Sequence, residues 1–101
     1  MIKTISLLIG NSDDKLSQKE WSRYVESIEF IVTKHSAKSH FTGFSKPDST
    51  FQNACWVFEI PEEDLDAKSN FIDYLQNVCF MFRQDSITMV VAGTTTFIHW
   101  L

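Results

Sequence analysis

Residues 2–35 read IKTISLLIGNSDDKLSQKEWSRYVESIEFIVTKH and contain a strand pattern, a polar break and a helix pattern, in that order. In the first part, aliphatic side chains recur at every second position, which is the period of a β-strand with one buried face. This pattern predicts a strand over Ile2–Ile9, which Gly10 and the polar residues after it bring to an end. The predicted buried face consists of Ile5, Leu7 and Ile9.

The helix pattern opens with a capping box. The Ser17 hydroxyl can accept the backbone N–H of Glu20, and the Glu20 carboxylate can accept the backbone N–H of Ser17. Apolar residues then recur at the spacing of one helical face, which predicts a helix over Gln18–His35 with a charged outer face. The outer face holds Lys19, Arg23, Glu26 and Glu29.

The rest of the chain predicts a second helix and the remaining strands. A second apolar stripe between Pro61 and Phe82, interrupted near Lys68, predicts the helix. The element order β-α-β-β-α-β with an extra C-terminal strand predicts a ferredoxin-like plait, an α+β fold with two helices on one face of an antiparallel sheet. A length of 101 residues predicts one domain. The further strands are predicted over His40–Ser45, Phe51–Ile60, Ile87–Ala92 and Thr95–Trp100.

Charge and cysteine usage argue against several classes of function. The net charge is −4 and the nine Lys and Arg residues are scattered, so direct binding to nucleic acid is not expected. The longest uncharged stretch is shorter than a membrane span and no signal peptide is visible, so a cytoplasmic protein is predicted. Cys55 and Cys79 are predicted to be free thiols, and neither they nor the histidines show metal-ligand spacing. No metal and no cofactor is therefore predicted.

Three polar segments are predicted to meet at one rim of the sheet. In the plait the first strand lies between the third and fourth and is antiparallel to both, so its end meets their beginnings. Arg and Lys suit a phosphate or carboxylate, and amide side chains suit the edge of a base or peptide. The alternative is that these polar residues only cap strand ends and hold loops. We call the predicted ligand-binding set the polar rim: Asp13, Asp14, Lys15, Gln52, Asn53, Arg83, Gln84 and Asp85.

Short motifs of the polar rim and the helix entry carry a resemblance. Residues 11–21, 52–55 and 83–87 resemble small uncharacterised proteins of bacteriophages and prophages. The Glu20-Trp21 helix entry and the strand entry at residues 84–87 are also similar to a bacterial domain of unknown function with the same plait. This resemblance spans most of the chain and implies a phage accessory protein. It supplies no catalytic residues.

The favoured hypothesis is a non-catalytic phage-type protein that binds a small nucleotide-like ligand, or a host defence protein, through the polar rim. The sequence places no nucleophile next to a base, which argues against an enzyme. A small dimeric plait enzyme with isomerase or monooxygenase chemistry, and a virion assembly protein, remain alternatives.

A homodimer is also predicted, because the plait leaves one sheet face uncovered and Thr95–Trp100 forms an edge without Lys or Pro. That face is predicted to hold Thr4, Ser6, Leu8, Asn53, Cys55 and Val57.

Overall fold

A computed structural model describes residues 1–11, 16–46, 52–91 and 94–99. Its strands and helices follow one another in the predicted order. Its elements are β1 (Ile2–Gly10), α1 (Gln18–His35), β2 (Lys38–Phe44), β3 (Asn53–Pro61), a 3₁₀ helix (Glu62–Leu65), α2 (Asn70–Met81), β4 (Ser86–Val91) and β5 (Thr94–His99).

The strands form one antiparallel sheet in the order β2-β3-β1-β4-β5. β1 is central and pairs with β3 along its whole length, from Ile2 opposite Pro61 to Gly10 opposite Asn53. The order β2-β3-β1-β4 is that of the ferredoxin-like plait, which confirms the predicted fold. β5 continues the sheet beyond β4 as an outer strand.

Both helices pack on one face of this sheet and enclose the core. The predicted inward residues of β1 are confirmed, since Ile5, Leu7 and Ile9 are all buried. Aromatic side chains fill much of the space between sheet and helices, and the indole N–H of Trp56 donates to the carboxylate of Glu29 on α1. The largest fully buried side chains are Trp56, Tyr24, Phe58 and Phe71.

The second helix differs from its prediction. The sequence placed its beginning near Pro61, but Pro61 is the last residue of β3. The Glu62 N–H donates to the Met1 carbonyl at 2.8 Å, so the chain is still held at the sheet there. Only a 3₁₀ turn follows, and α2 begins at Asn70 after a new N-cap, where Ser69 Oγ accepts the Ile72 N–H at 3.2 Å.

Strand bounds differ from the predictions by one to two residues where they are described. β2 begins at Lys38 and ends at Phe44, β4 begins at Ser86, and β5 ends at His99. Phe51, Ala92 and Trp100, which the sequence assigned to strands, lie outside the described residues. None of the helices among the described residues is long and apolar enough to span a membrane.

The sheet face opposite the helices is not covered by any described element, and we call it the open face. The six side chains predicted to lie on it are all exposed or half-buried. Leu8 is 39% exposed although it belongs to the central strand β1. Cross-strand pairs place Leu8 opposite Cys55 and Cys55 opposite Gly43, so these three positions form one row across the open face.

Candidate functional site

The polar rim is described only in part. Asp13, Asp14 and Lys15 lie outside the described residues. Gln52, Asn53, Arg83, Gln84 and Asp85 are described, and they have different surroundings. That the eight residues form one ligand site stays a prediction.

The Gln52 side chain is buried and links Asn11, after the end of β1, to Gln18 at the beginning of α1. Its Oε1 accepts from Asn11 Nδ2 at 3.1 Å, and its Nε2 donates to Gln18 Oε1 at 2.8 Å. Asn11 in turn donates to the Leu16 carbonyl and accepts the Leu16 N–H, both at 3.0 Å. This network joins the chain at Asn11 to the chain at Leu16, which matches the alternative in which these polar residues have a structural role. The sequence analysis did not predict this structural role of Asn11.

Gln84 is also buried, at the C-terminal end of α2. Its N–H donates to the Cys79 carbonyl at 2.9 Å and its side chain donates to the Phe82 carbonyl at 3.0 Å. The Arg83 N–H donates to the Phe80 carbonyl at 3.1 Å, so the helix ends in the hydrogen-bond pattern of a Schellman motif. The Gln84 side-chain amide therefore helps to cap the C-terminal end of α2.

Arg83 reaches the beginning of α1 on the helix side of the sheet. Its Nη2 donates to Glu20 Oε2 at 2.9 Å, and both side chains are exposed to solvent. The pKa of Glu20 lies below its usual value, first because of its hydrogen bond with the Ser17 backbone and next because of Arg83. Asp85, two residues further on, is exposed.

Asn53 lies on the open face, as the sequence predicts. A side chain at Gly10, its partner across β1 and β3, would place its Cβ 2.9 Å from Asn53 Oδ1. The Asn53 carboxamide thus stands over Gly10, whereas the Arg83 guanidinium lies beside Glu20 on the helix side. The described part of the polar rim is divided between the two sides of the sheet.

A depression on the open face lies next to Asn53. It has a volume of about 320 Å³, and the side chains that form it on this face are Leu8, Phe41, Asn53 and Cys55, with Gly43 as its floor. A Cβ at Gly43 would lie 2.5 Å from Phe41 Cζ. Because glycine has no side chain, the Phe41 ring can pack directly against the backbone at Gly43. We call this feature the open-face pocket.

The walls of the open-face pocket are mainly apolar. Phe41 is 56% exposed, which leaves much of its ring available to a ligand. Cys55 is half-buried, and this burial raises the pKa of its thiol. At neutral pH the sulfur is therefore a neutral, polarisable wall atom and is poorly activated as a nucleophile.

The open face carries one further polar feature, which the sequence analysis missed. His40 Nε2 lies 2.6 Å from Glu59 Oε2, and an imidazole held by a carboxylate is an arrangement found in general bases. Glu59 is four residues beyond Cys55 on β3, roughly 13 Å away at the rise of a strand. The carboxylate that holds His40 is therefore remote from the Cys55 thiol along β3. No group of three potential metal-ligating side chains occurs among the described residues.

Comparison with known proteins gives one fold relative. No protein family matches this chain, and no curated protein matches it. A solved structure of a phage SAM lyase in complex with S-methyl-5′-thioadenosine is similar, with a TM-score of 0.54. The match has 13% sequence identity and covers 97% of this chain and 89% of the lyase chain. At this identity the likeness establishes the fold.

This finding corrects the prediction that the protein is not an enzyme. A solved chain that shares the fold almost end to end is itself a lyase, so a non-catalytic role is no longer the expectation. It also agrees with the resemblance to phage proteins at the level of fold, since the lyase is a phage protein. The host defence partner and the cytoplasmic location stay predictions.

Proposed function

We propose that this chain is a phage-type enzyme that binds a nucleoside-like small molecule in the open-face pocket. The observation that carries the proposal is the pocket itself, where Gly43 leaves room beside the exposed ring of Phe41 and the Asn53 carboxamide stands at one end. The polar rim thereby contributes to the proposed site through Asn53 and not as one continuous surface.

The pocket has the chemistry that an adenine nucleoside requires. Its volume of about 320 Å³ is at the lower end of the range for small-molecule sites. The Phe41 ring offers a stacking surface for a purine, an interaction worth about 1–3 kcal/mol. An asparagine carboxamide can pair with the donor and acceptor on the edge of adenine. Leu8 and Cys55 offer an apolar, polarisable surface to a methylthio group.

The fold relative supports this choice of ligand class, because its bound S-methyl-5′-thioadenosine is a nucleoside thioether. Cleavage of SAM to this thioether breaks the bond between the sulfonium sulfur and the γ-carbon of the methionine part. The electron pair stays on sulfur and the substrate's own carboxylate can close on that carbon, so no further reactant is needed. Because the reaction removes the sulfonium charge, an apolar pocket that solvates the cation poorly favours it.

Calorimetric titration with S-methyl-5′-thioadenosine tests the binding proposal, with uridine as the control ligand. We expect binding of the thioether and not of uridine. Phe41→Ala should weaken this binding at least about tenfold, because stacking is lost. Asn53→Ala should weaken it about tenfold through loss of the edge contact. Phe80→Ala is the matched control, since Phe80 is 63% exposed against 56% for Phe41 but lies on α2.

Incubation with SAM, followed by chromatography for S-methyl-5′-thioadenosine, tests the reaction. We expect the thioether to form, and Phe41→Ala to lower kcat/KM more than Phe80→Ala does. No binding of the thioether at millimolar concentration would refute the site. Binding without any cleavage of SAM would refute the lyase reaction while retaining the ligand.

A further inference from the structure

A long apolar groove runs between α1 and α2 on the outer side of the helix layer, away from the open-face pocket. Its volume is about 740 Å³. Ile31 and Val78, both buried, form its floor, and Phe30, Tyr74 and Met81 form its walls. Phe30 lies on α1 directly after Glu29 and one turn beyond Glu26 of the charged outer face.

The walls of the groove are unusually apolar for a solvent-facing helix surface. Phe30 and Met81 are each 67% exposed, so two large hydrophobic side chains stand on opposite helices with their surfaces in water. Tyr74 continues the same surface at 37% exposure. A contiguous apolar patch of this kind typically marks an interaction site on a soluble protein.

A cation lies at each end of the groove. Arg23 and Lys34 are eleven positions apart on α1, which corresponds to roughly 16 Å along the helix. The Lys34 ammonium lies 5.2 Å from the centroid of the Tyr74 ring, and this cation–π contact keeps Lys34 at one end of the groove. Glu26 adds one carboxylate between them, so the groove is net positive while the whole chain carries −4.

We infer that this groove binds an amphipathic helix of another protein, one with an acidic side chain at each end of its apolar stripe. A groove between two helices accepts a third helix through its apolar side chains at positions i, i+3 or i+4, and i+7. Two carboxylates about three turns apart match the separation of Arg23 and Lys34. An antiparallel pairing of α1 with α1 from a second copy would instead place cation against cation, which disfavours a homodimer through this surface.

Fluorescence anisotropy with a labelled helical peptide of about 18 residues tests the inference. The peptide carries leucines on one face and a glutamate at each end of that face, eleven positions apart. The control peptide carries lysines in place of these two glutamates. We expect the glutamate peptide to bind at least about tenfold more tightly at low salt. The variant Arg23→Glu with Lys34→Glu should reverse this preference.

Two single variants locate the binding surface. Phe30→Asp should weaken binding of the glutamate peptide at least about tenfold, while Phe80→Asp should not change it. Phe80 is a matched control because it is 63% exposed on α2 and does not line the groove. Equal binding of the two peptides, or equal effects of the two variants, overturns the inference. So does a change in sedimenting mass caused by Phe30→Asp, because the groove would then be a contact between copies.

Discussion

Arg83 has a backbone conformation that arginine rarely adopts. Among the described residues other than glycine, it alone has a positive φ, at 56°. This left-handed conformation costs a residue with a Cβ about 1–2 kcal/mol. The left-handed conformation is needed to end α2, because it lets the Arg83 N–H reach the Phe80 carbonyl and the Gln84 N–H reach the Cys79 carbonyl. Glycine usually occupies this position, and arginine there instead provides the contact with Glu20.

A pair of substitutions at Arg83 separates the backbone effect from the ion pair. Arg83→Ala and Arg83→Gly both remove the contact with Glu20, but only glycine relieves the left-handed strain. We expect Arg83→Gly to be more stable than Arg83→Ala by about 1 kcal/mol in urea unfolding. Equal stability of the two variants would mean that the backbone at residue 83 carries no strain.

The sequence predicted that Asn53 lies on the uncovered sheet face, as observed, but it could not show that Gln52 is buried in a hydrogen-bond network. Gln52 and Asn53 are adjacent, yet one is buried between Asn11 and Gln18 and the other stands on the open face. Their opposite orientations follow from the alternation of an extended chain once the register of β3 is known. The partners of Gln52 are distant in sequence, so only the folded chain reveals them.

At the scale of elements, the bounds of a helix could be predicted where residues close together in sequence determine them. The α1 helix lies at the predicted Gln18–His35 because its capping box is contained in four consecutive residues. Both predicted hydrogen bonds are present at 3.1 Å, between Ser17 Oγ and the Glu20 N–H and between Glu20 Oε1 and the Ser17 N–H. The predicted beginning of α2 was wrong because Pro61 and the acidic residues after it have the properties of a helix start. The contact that competes with this helix start joins the Glu62 N–H to the Met1 carbonyl, two groups that are far apart in sequence.

The capping box should contribute measurably to stability. Ser17→Ala removes the acceptor for the Glu20 N–H and should lower the free energy of unfolding by about 1 kcal/mol. Ser22→Ala is the matched control, because Ser22 is exposed within α1 and alanine has the higher helix propensity there. Urea unfolding compares the two. A loss for Ser17→Ala no greater than that for Ser22→Ala would show that the cap is energetically unimportant.

At the scale of the whole molecule, the asymmetry of the two sheet faces is the main feature. Helices cover one face, while the open face exposes Leu8, Cys55 and Val57 in addition to the open-face pocket. The plait and its uncovered face were predictable because element order alone fixes which strands are central. The groove between the helices was not, because Phe30 looks like an isolated irregularity until α2 places Tyr74 and Met81 opposite it.

We expect a homodimer in which two open faces pack together, because this buries Leu8 and Val57, the accessible aliphatic side chains of the central strands. Sedimentation velocity at micromolar concentration should give twice the chain mass of 11.7 kDa. Val57→Glu should produce monomers by burying an unpaired charge, while Thr33→Glu on the exposed side of α1 should leave the dimer intact.

Pairing through the outer strand β5 is the competing arrangement. A dimer that survives Val57→Glu but dissociates when Trp100 and Leu101 are removed would establish the edge contact and refute packing of the open faces. Face-to-face packing also encloses the open-face pocket between two sheets. In that case S-methyl-5′-thioadenosine should stabilise the dimer, because a ligand favours the state that binds it more tightly. A wild-type monomer at these concentrations would contradict both arrangements.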